Sequence, residues 1–150
     1  MTTQQDVKNF LNNKSIAVVG VSRDKKKFGY AAYKHLKDRG YEVFPVNPSV
    51  AEVDSNKCFP NLSSIKDHYD GVLLVIPPKQ SEKVVKEAHD LGIKSVWFQQ
   101  GSSSDEAVKY CEENGMSVVR GECIMMFSEP VESFHKFHRW VWKIFGKLPA

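Results

Sequence analysis

Short apolar runs rich in Val and Ile recur along the chain with amphipathic stretches between them, and this alternation constrains the fold more than any other feature. The runs are Ile16 to Gly20 (IAVVG), Tyr41 to Val46, Gly71 to Ile76 (GVLLVI), Ser95 to Phe98 and Met116 to Val119. Segments this short and this β-branched read as strands buried on both faces, not as helices. Between them the apolar positions follow helical spacing: Thr3 to Leu11, Phe28 to Arg39 ending at Gly40, and Lys79 to Leu91 ending at Gly92. A further helix is expected through Asn114, opened by a capping box of Ser103 with Glu106. The stretch from Ser49 to Lys66 gives only a short edge strand at Lys57 to Phe59 and a helical turn at Leu62 to Lys66. Strands alternating with helices predict an α/β fold, a doubly wound, mostly parallel sheet flanked by helices.

A chain of 150 residues fits one compact domain, which excludes a multidomain ligase carrying its own second catalytic domain. We expect that domain over 1–130 and a C-terminal amphipathic helix over 131–150, packed on the domain or on a partner. No apolar run reaches the roughly 18 residues of a membrane span. Met1 to Asn13 shows no apolar signal-peptide core, which predicts a cytoplasmic protein. Cys58, Cys111 and Cys123 lie far apart and fit neither a disulfide framework nor a CxxC metal pair, so they are expected as reduced thiols. The net charge of +3 is matched by the tail, where Lys136, Arg139, Lys143 and Lys147 face Glu132 alone. The body is neutral, and no RRM, KH or zinc-finger pattern is present, so nucleic acid is not an expected partner.

In an open parallel sheet the ligand binds beyond the carboxyl ends of the strands, where the strand order reverses. Those ends read Gly20-Val21-Ser22, Asn47-Pro48, Ile76-Pro77-Pro78, Gln99-Gln100-Gly101 and Gly121-Glu122-Cys123. The first turn continues through Arg23, Asp24, Lys25, Lys26, Lys27, Phe28 and Gly29, with four cations in five positions just ahead of a helix. A helix N-terminus already carries partial positive charge, so each cation there costs roughly a few tenths of a kcal/mol unless an anion arrives. Backbone N–H groups, the Ser22 hydroxyl and these cations would make a polyphosphate cradle; the alternative is a solvated loop. The turn lacks G-x-G-x-x-G, having only Gly20 and Gly29, and strand two ends in Val46-Asn47-Pro48 with no ribose-binding acid, which disfavours NAD. No GxxxxGK[ST] motif supports a P-loop.

The segments VVGVS, the turn to FGY, GYEVFPVNP, YDGVLLVIPP and VWFQQG resemble the small stand-alone CoA-binding proteins, whose domain also forms the N-terminal half of the succinyl-CoA synthetase alpha subunit. The resemblance covers about residues 14 to 125 and implies a Rossmann-like domain that binds the nucleotide end of coenzyme A. By position it implies that Gly20, Val21 and Ser22 wrap the phosphates, and that Lys27, Phe28, Gly29 and Tyr30 close the turn onto the helix. Asn47 and Pro48 would border the adenosine, Ile76, Pro77 and Pro78 would wall the ribose and adenine, and Gln99 would lie near the site with Trp97 in the core. Many relatives carry a basic residue after the Asn-Pro pair, where this chain has Ser49; Arg23 and Lys25 to Lys27 are expected to substitute for it.

No catalytic or metal-binding residue is expected. Glu122 beside Cys123 would raise, not lower, a thiol pKa, which favours a structural cysteine over a nucleophile. His35, His68 and His89 stand alone, and His135 with His138 lacks further ligands. In the tail, Phe134, Phe137, Val141, Ile144 and Phe145 share a helical face opposite the cations, fitting packing on the sheet or a homodimer partner better than membrane contact. The sequence therefore predicts a non-catalytic protein that binds CoA or acyl-CoA and works with a protein partner. The rivals are an NADP-linked reductase and a detached acyl-CoA ligase subunit that needs its partner.

Overall fold

The computed structural model describes residues 4–124. The expected amphipathic helix at 131–150, with His135 and His138, and the start of the first helix at Thr3 lie outside the described residues. In chain order the elements are α1 (Gln4–Leu11), β1 (Ser15–Val19), α2 (Phe28–Asp38), β2 (Glu42–Val46), β3 (Glu52–Val53), β4 (Asn56–Lys57), a 3-10 turn (Leu62–Ser64), β5 (Gly71–Leu74), α3 (Pro78–Asp90), β6 (Ser95–Gln99), α4 (Asp105–Glu113) and β7 (Ser117–Glu122).

Five strands form one sheet in the order β2-β1-β5-β6-β7 with every pairing parallel. Strand β1 lies between β2 and β5, pairing Ile16 with Val43 on one side and Gly71 on the other. The chain winds outward from β1 in one direction and from β5 in the other. The strand order therefore reverses between them, which makes this the Rossmann-like doubly wound sheet expected from the alternation.

Period-two alternation sends the β1 side chains into two cores. Ile16 and Val18 pack with Val7 and Phe10 of α1, with Tyr33 and Leu36 of α2, and with Leu73 and Trp97. Ala17 and Val19 join the opposite core with Val85 and Ala88 of α3, Val108 and Cys111 of α4, and Phe98. Phe10 meets the fully buried Trp97 edge to face at 5.3 Å, which docks α1 onto the sheet. Trp97 is thus a core residue, as expected.

Three local differences from the sequence expectation have clear causes. The expected edge strand at Lys57 to Phe59 is instead a hairpin of β3 and β4, followed by a single bridge from Phe59 to β2. Asp54 and Ser55 turn the hairpin at φ 50 and 67, the left-handed pair such a turn needs, without the glycine that would have signalled it. Phe59 exchanges hydrogen bonds with Pro45 O and Asn47 N, both 2.9 Å, and so covers part of the exposed edge of β2. Pro45 fits there because an edge strand has no outward partner for a missing N–H. The α4 cap is Ser104, whose hydroxyl accepts from Ala107 N at 3.1 Å, not Ser103. Starting one residue later keeps Asp105 and Glu106 in the first turn and Ala107, Val108 and Cys111 against the sheet. Finally, α3 begins at Pro78, one residue before the expected Lys79, with its ring in the first turn where no N–H is required.

Candidate functional site

The carboxyl edge of the sheet is organised around Gly20. Its N–H donates to Val46 O at 2.8 Å, and the neighbouring Val75 N–H donates to Val19 O at 2.8 Å, so the ends of β2, β1 and β5 are tied together. Gly20 has φ +102, and a Cβ there would lie well under 3.0 Å from Val75 O. A Cβ on Gly29 would meet Gly20 O just as closely. These two glycines let the first turn of α2 seat directly on the end of β1, although they stand nine positions apart and match no dinucleotide fingerprint.

The intervening loop builds itself from short side chains. Ser22 Oγ accepts from Asp24 N at 3.0 Å, Asp24 Oδ1 accepts from Lys26 N at 2.9 Å, and Lys27 N donates to Asp24 O at 3.0 Å. Asp24, which the sequence reading passed over, is therefore the residue that shapes the cationic turn. Arg23, Lys25, Lys26 and Lys27 are all exposed, with Asp24 the acid among them. Lys25 Nζ stands 5.9 Å above the Tyr30 ring. The Tyr30 hydroxyl donates to Asp54 Oδ2 at 2.7 Å, a bond to a carboxylate that raises the phenol pKa and ties α2 to the hairpin.

Lys27 is the N-cap of α2, extended at φ −85 and ψ 147, and no side chain caps the helix. Pro77 caps α3 with equally little help from a side chain. By contrast Ser104 caps α4 and Asn61 caps the 3-10 turn. The uncapped N–H groups of α2 and α3, with their share of the helix dipole, face the end of the sheet where β1 and β5 part.

Between them lies a cleft of about 370 Å³ lined by Val19, Gly20, Asn47, Pro48, Ser49, Val75, Ile76, Pro77 and Gln80. It brings together Gly20, Asn47, Pro48, Ile76 and Pro77 from the expected site and adds Val19, Ser49, Val75 and Gln80. Val21, Ser22, Arg23, Lys27, Phe28, Gly29 and Tyr30 belong to the adjoining turn and the start of α2, and Pro78 to the first turn of α3. Asn47 acts as a brace: its Nδ2 donates to Val21 O at 2.8 Å and its Oδ1 accepts from Ser49 N at 2.8 Å. Gln99 does not line the cleft. It is 5% exposed, and its Oε1 accepts from Ile124 N at 3.0 Å, so it fixes the chain after β7.

None of the three thiols lines the cleft. Burial pushes Cys111 up to about 12 and also raises Cys58, whereas Cys123 is half-buried beyond β7. Among the described residues no cluster of three His, Cys, Asp or Glu side chains is placed to hold a metal ion, and no helix is long and apolar enough to cross a membrane. The site offers backbone donors, cations and an apolar slot, which suits holding an anion joined to a flat or apolar group.

Comparison with known proteins identifies the family of the chain. A family model described as a CoA binding domain matches residues 14–129. The chain is 30% identical over 126 residues to the ADP-forming acetate–CoA ligase II subunit alpha of Pyrococcus furiosus, a match that covers 77% of this chain and 28% of that subunit. It is 31% identical over 123 residues to the uncharacterized protein YneT of Bacillus subtilis, covering 81% of this chain and 91% of that one. The solved structure of a hypothetical protein from Pyrococcus horikoshii aligns with TM-score 0.76 at 35% identity, over 82% of this chain and 87% of that one. The chain thus spans less than a third of the ligase subunit it matches and most of the smaller proteins.

Proposed function

The chain belongs to the CoA binding domain family, and from that premise we propose that its carboxyl-edge cleft binds coenzyme A or an acyl-CoA through the nucleotide end, without catalysing a reaction by itself. The observation that carries this reading is a cleft at the strand-order reversal lined by Gly20 and Pro77, beside two helix N-termini that lack side-chain caps and a turn with four exposed cations. The donor set fits a nucleotide polyphosphate: backbone N–H groups at Val21 and Ser22 and at the start of α2 would take phosphate oxygens, and Arg23 with Lys25 to Lys27 would balance their charge. Pro48, Ile76 and Pro77 would bound the adenosine. When bound, CoA supplies a thiol or thioester, while these residues bind and orient it.

A second reading is supported by the ligase relative, whose domain is part of a larger enzyme. There this chain would serve as a detached subunit that is active only beside a partner supplying the phosphoryl-transfer groups. A pyridine nucleotide is a poorer fit, because both ends of the Asn47 side chain are committed to the protein and no acid stands at the end of β2.

The test is calorimetric titration with CoA, 3'-dephospho-CoA, NADP and NAD at two salt concentrations. The expected result is CoA binding that weakens with salt, since charge contacts of exposed lysines are screened. NADP binding without CoA binding would overturn the reading.

A further inference from the structure

Behind the wall of the cleft stands a side chain that never reaches the cleft itself. Strand β6 ends in a tight turn in which Ser102 N donates to Gln99 O at 2.8 Å, with Gly101 at φ +86 in the third position. This turn aims Ser102 sideways at the end of β5. Its Oγ accepts from Ile76 N at 3.1 Å, and its carbonyl accepts from the Ser81 hydroxyl in the first turn of α3. Ser102 is 4% exposed and Ser81 0%, so the Ser81 bond is shut off from water, and the bond from the half-buried Ile76 is partly shielded from it.

Ile76 sits where the backbone has little else to hold it. Val75 N is spent on Val19 O in the sheet, and Pro77 and Pro78 have no N–H. Ile76 therefore carries the single N–H between Val75 and Lys79, and Ser102 Oγ receives it. Whatever sets the Ile76 peptide also sets the angle at which Ile76 and Pro77 face the cleft.

We propose that Ser102 is the positioning residue of the nucleotide cleft, acting through the Ile76 N–H to hold the Ile76–Pro77 wall at its binding angle. The inference rests on the CoA reading for its ligand, but its mechanical part can be measured without one. Removing the acceptor leaves a half-buried donor without its protein partner, and the wall moves to find water or another partner.

The experiment compares Ser102→Ala with Ser81→Ala, which deletes a buried bond of the same network yet leaves Ile76 its acceptor. CoA titration is read beside the hydrogen-exchange rate of the Ile76 amide. Ser102→Ala is expected to weaken CoA about tenfold and to accelerate Ile76 exchange, while Ser81→Ala stays within about threefold and leaves Ile76 protected. Ser102→Thr, which restores the hydroxyl, is expected to recover most of both. If the alanine variant loses its fold, Ser102→Cys, a weak acceptor of similar size, must give the same ranking. Equal losses in the Ser102 and Ser81 variants, or unchanged Ile76 exchange, would overturn the proposal. No CoA binding by the unaltered protein, with Ile76 protection lost only in Ser102 variants, would sink the ligand reading and uphold the positioning role.

Discussion

The two edges of the sheet are built from similar residues yet end in opposite states. At the amino edge, Ser15, Ser95 and Ser117 each open a strand and each pairs with another side chain: Asp70 at 3.3 Å, Asn13 at 3.2 Å and Asp6 at 3.0 Å. A concavity of about 380 Å³ lies there too, beside His68 and Asp70, but that pair is already closed on itself at 2.6 Å. At the carboxyl edge the side chains brace the backbone, and the N-termini of α2 and α3 are left without a side-chain cap. Concavity therefore does not distinguish the edges. Donors left over after the protein has satisfied itself do, and they follow from strand polarity, because β1 and β5 both send the chain into a helix N-terminus at the same edge.

The largest expected effect tests how tightly each edge is closed around its backbone. Gly20→Ala and Gly29→Ala would each drive a Cβ into a backbone oxygen that cannot move without parting β1 from β5 or from α2. A loss on the order of 3–5 kcal/mol is expected from each, read as a fall in the urea midpoint. Gly71→Ala at the amino edge also meets neighbours, Asn13 Nδ2 and the Phe10 ring, but these are side chains, and Asn13 can swing aside by giving up its bond to Ser95. Its cost should be about 1 kcal/mol. Equal losses at all three positions would erase this difference between the edges.

The same contrast explains how much of the molecule was legible in its sequence. The sheet and its helices were readable because period-two and helical spacing are local, and IAVVG or GVLLVI has few other uses. The glycine pair was visible as residues but not as a device. Only the fold reveals that Gly29 performs the close approach a dinucleotide fingerprint would place nearer to Gly20. Asp24 and Ser102 were missed because each acts through a neighbour and a lone Asp or Ser in a polar loop has no periodic signature, and Gln80 because a single Gln in the first turn of a helix has none either. Gln99 was assigned to the ligand by family position, and its buried bond to Ile124 could be seen only once β6 and β7 stood side by side. Asp54 and Ser55 turned a hairpin with residues that rarely take positive φ, so the segment read as irregular.

A middle-sized effect should separate stability from binding. Lys27 already has the extended backbone of an N-cap, so Lys27→Asp would supply the missing cap and remove a cation from the positive end of α2. The variant should be more stable by about 0.5–1 kcal/mol yet bind CoA at least about tenfold more weakly. Ser104→Ala at the capped helix should do the reverse, costing about 1 kcal/mol with CoA affinity unchanged. Urea midpoints and titrations of the two variants would be read together. A Lys27→Asp protein that binds CoA as well as the parent would show that the open helix end is not a binding device.

The smallest effect probes the closed edge by acid. Burial works against ionisation of Asp70, but its hydrogen bonds to His68, the Lys14 backbone and Ser15 outweigh it and hold the carboxyl below its ordinary value. A carboxyl whose folded pKa is depressed adds stability that is complete above its unfolded pKa of about 3.9 and is lost as pH falls through the lower folded value. Asp70→Asn should thus lower the thermal midpoint at neutral pH, and the gap from the parent should narrow below about pH 4. The His68 side chain is 84% exposed, so solvent screening limits the full gap to about 0.5 kcal/mol. A gap that stayed constant down to about pH 2.5 would mean that Asp70 serves by shape alone, and the amino edge would then be closed by packing and not by charge.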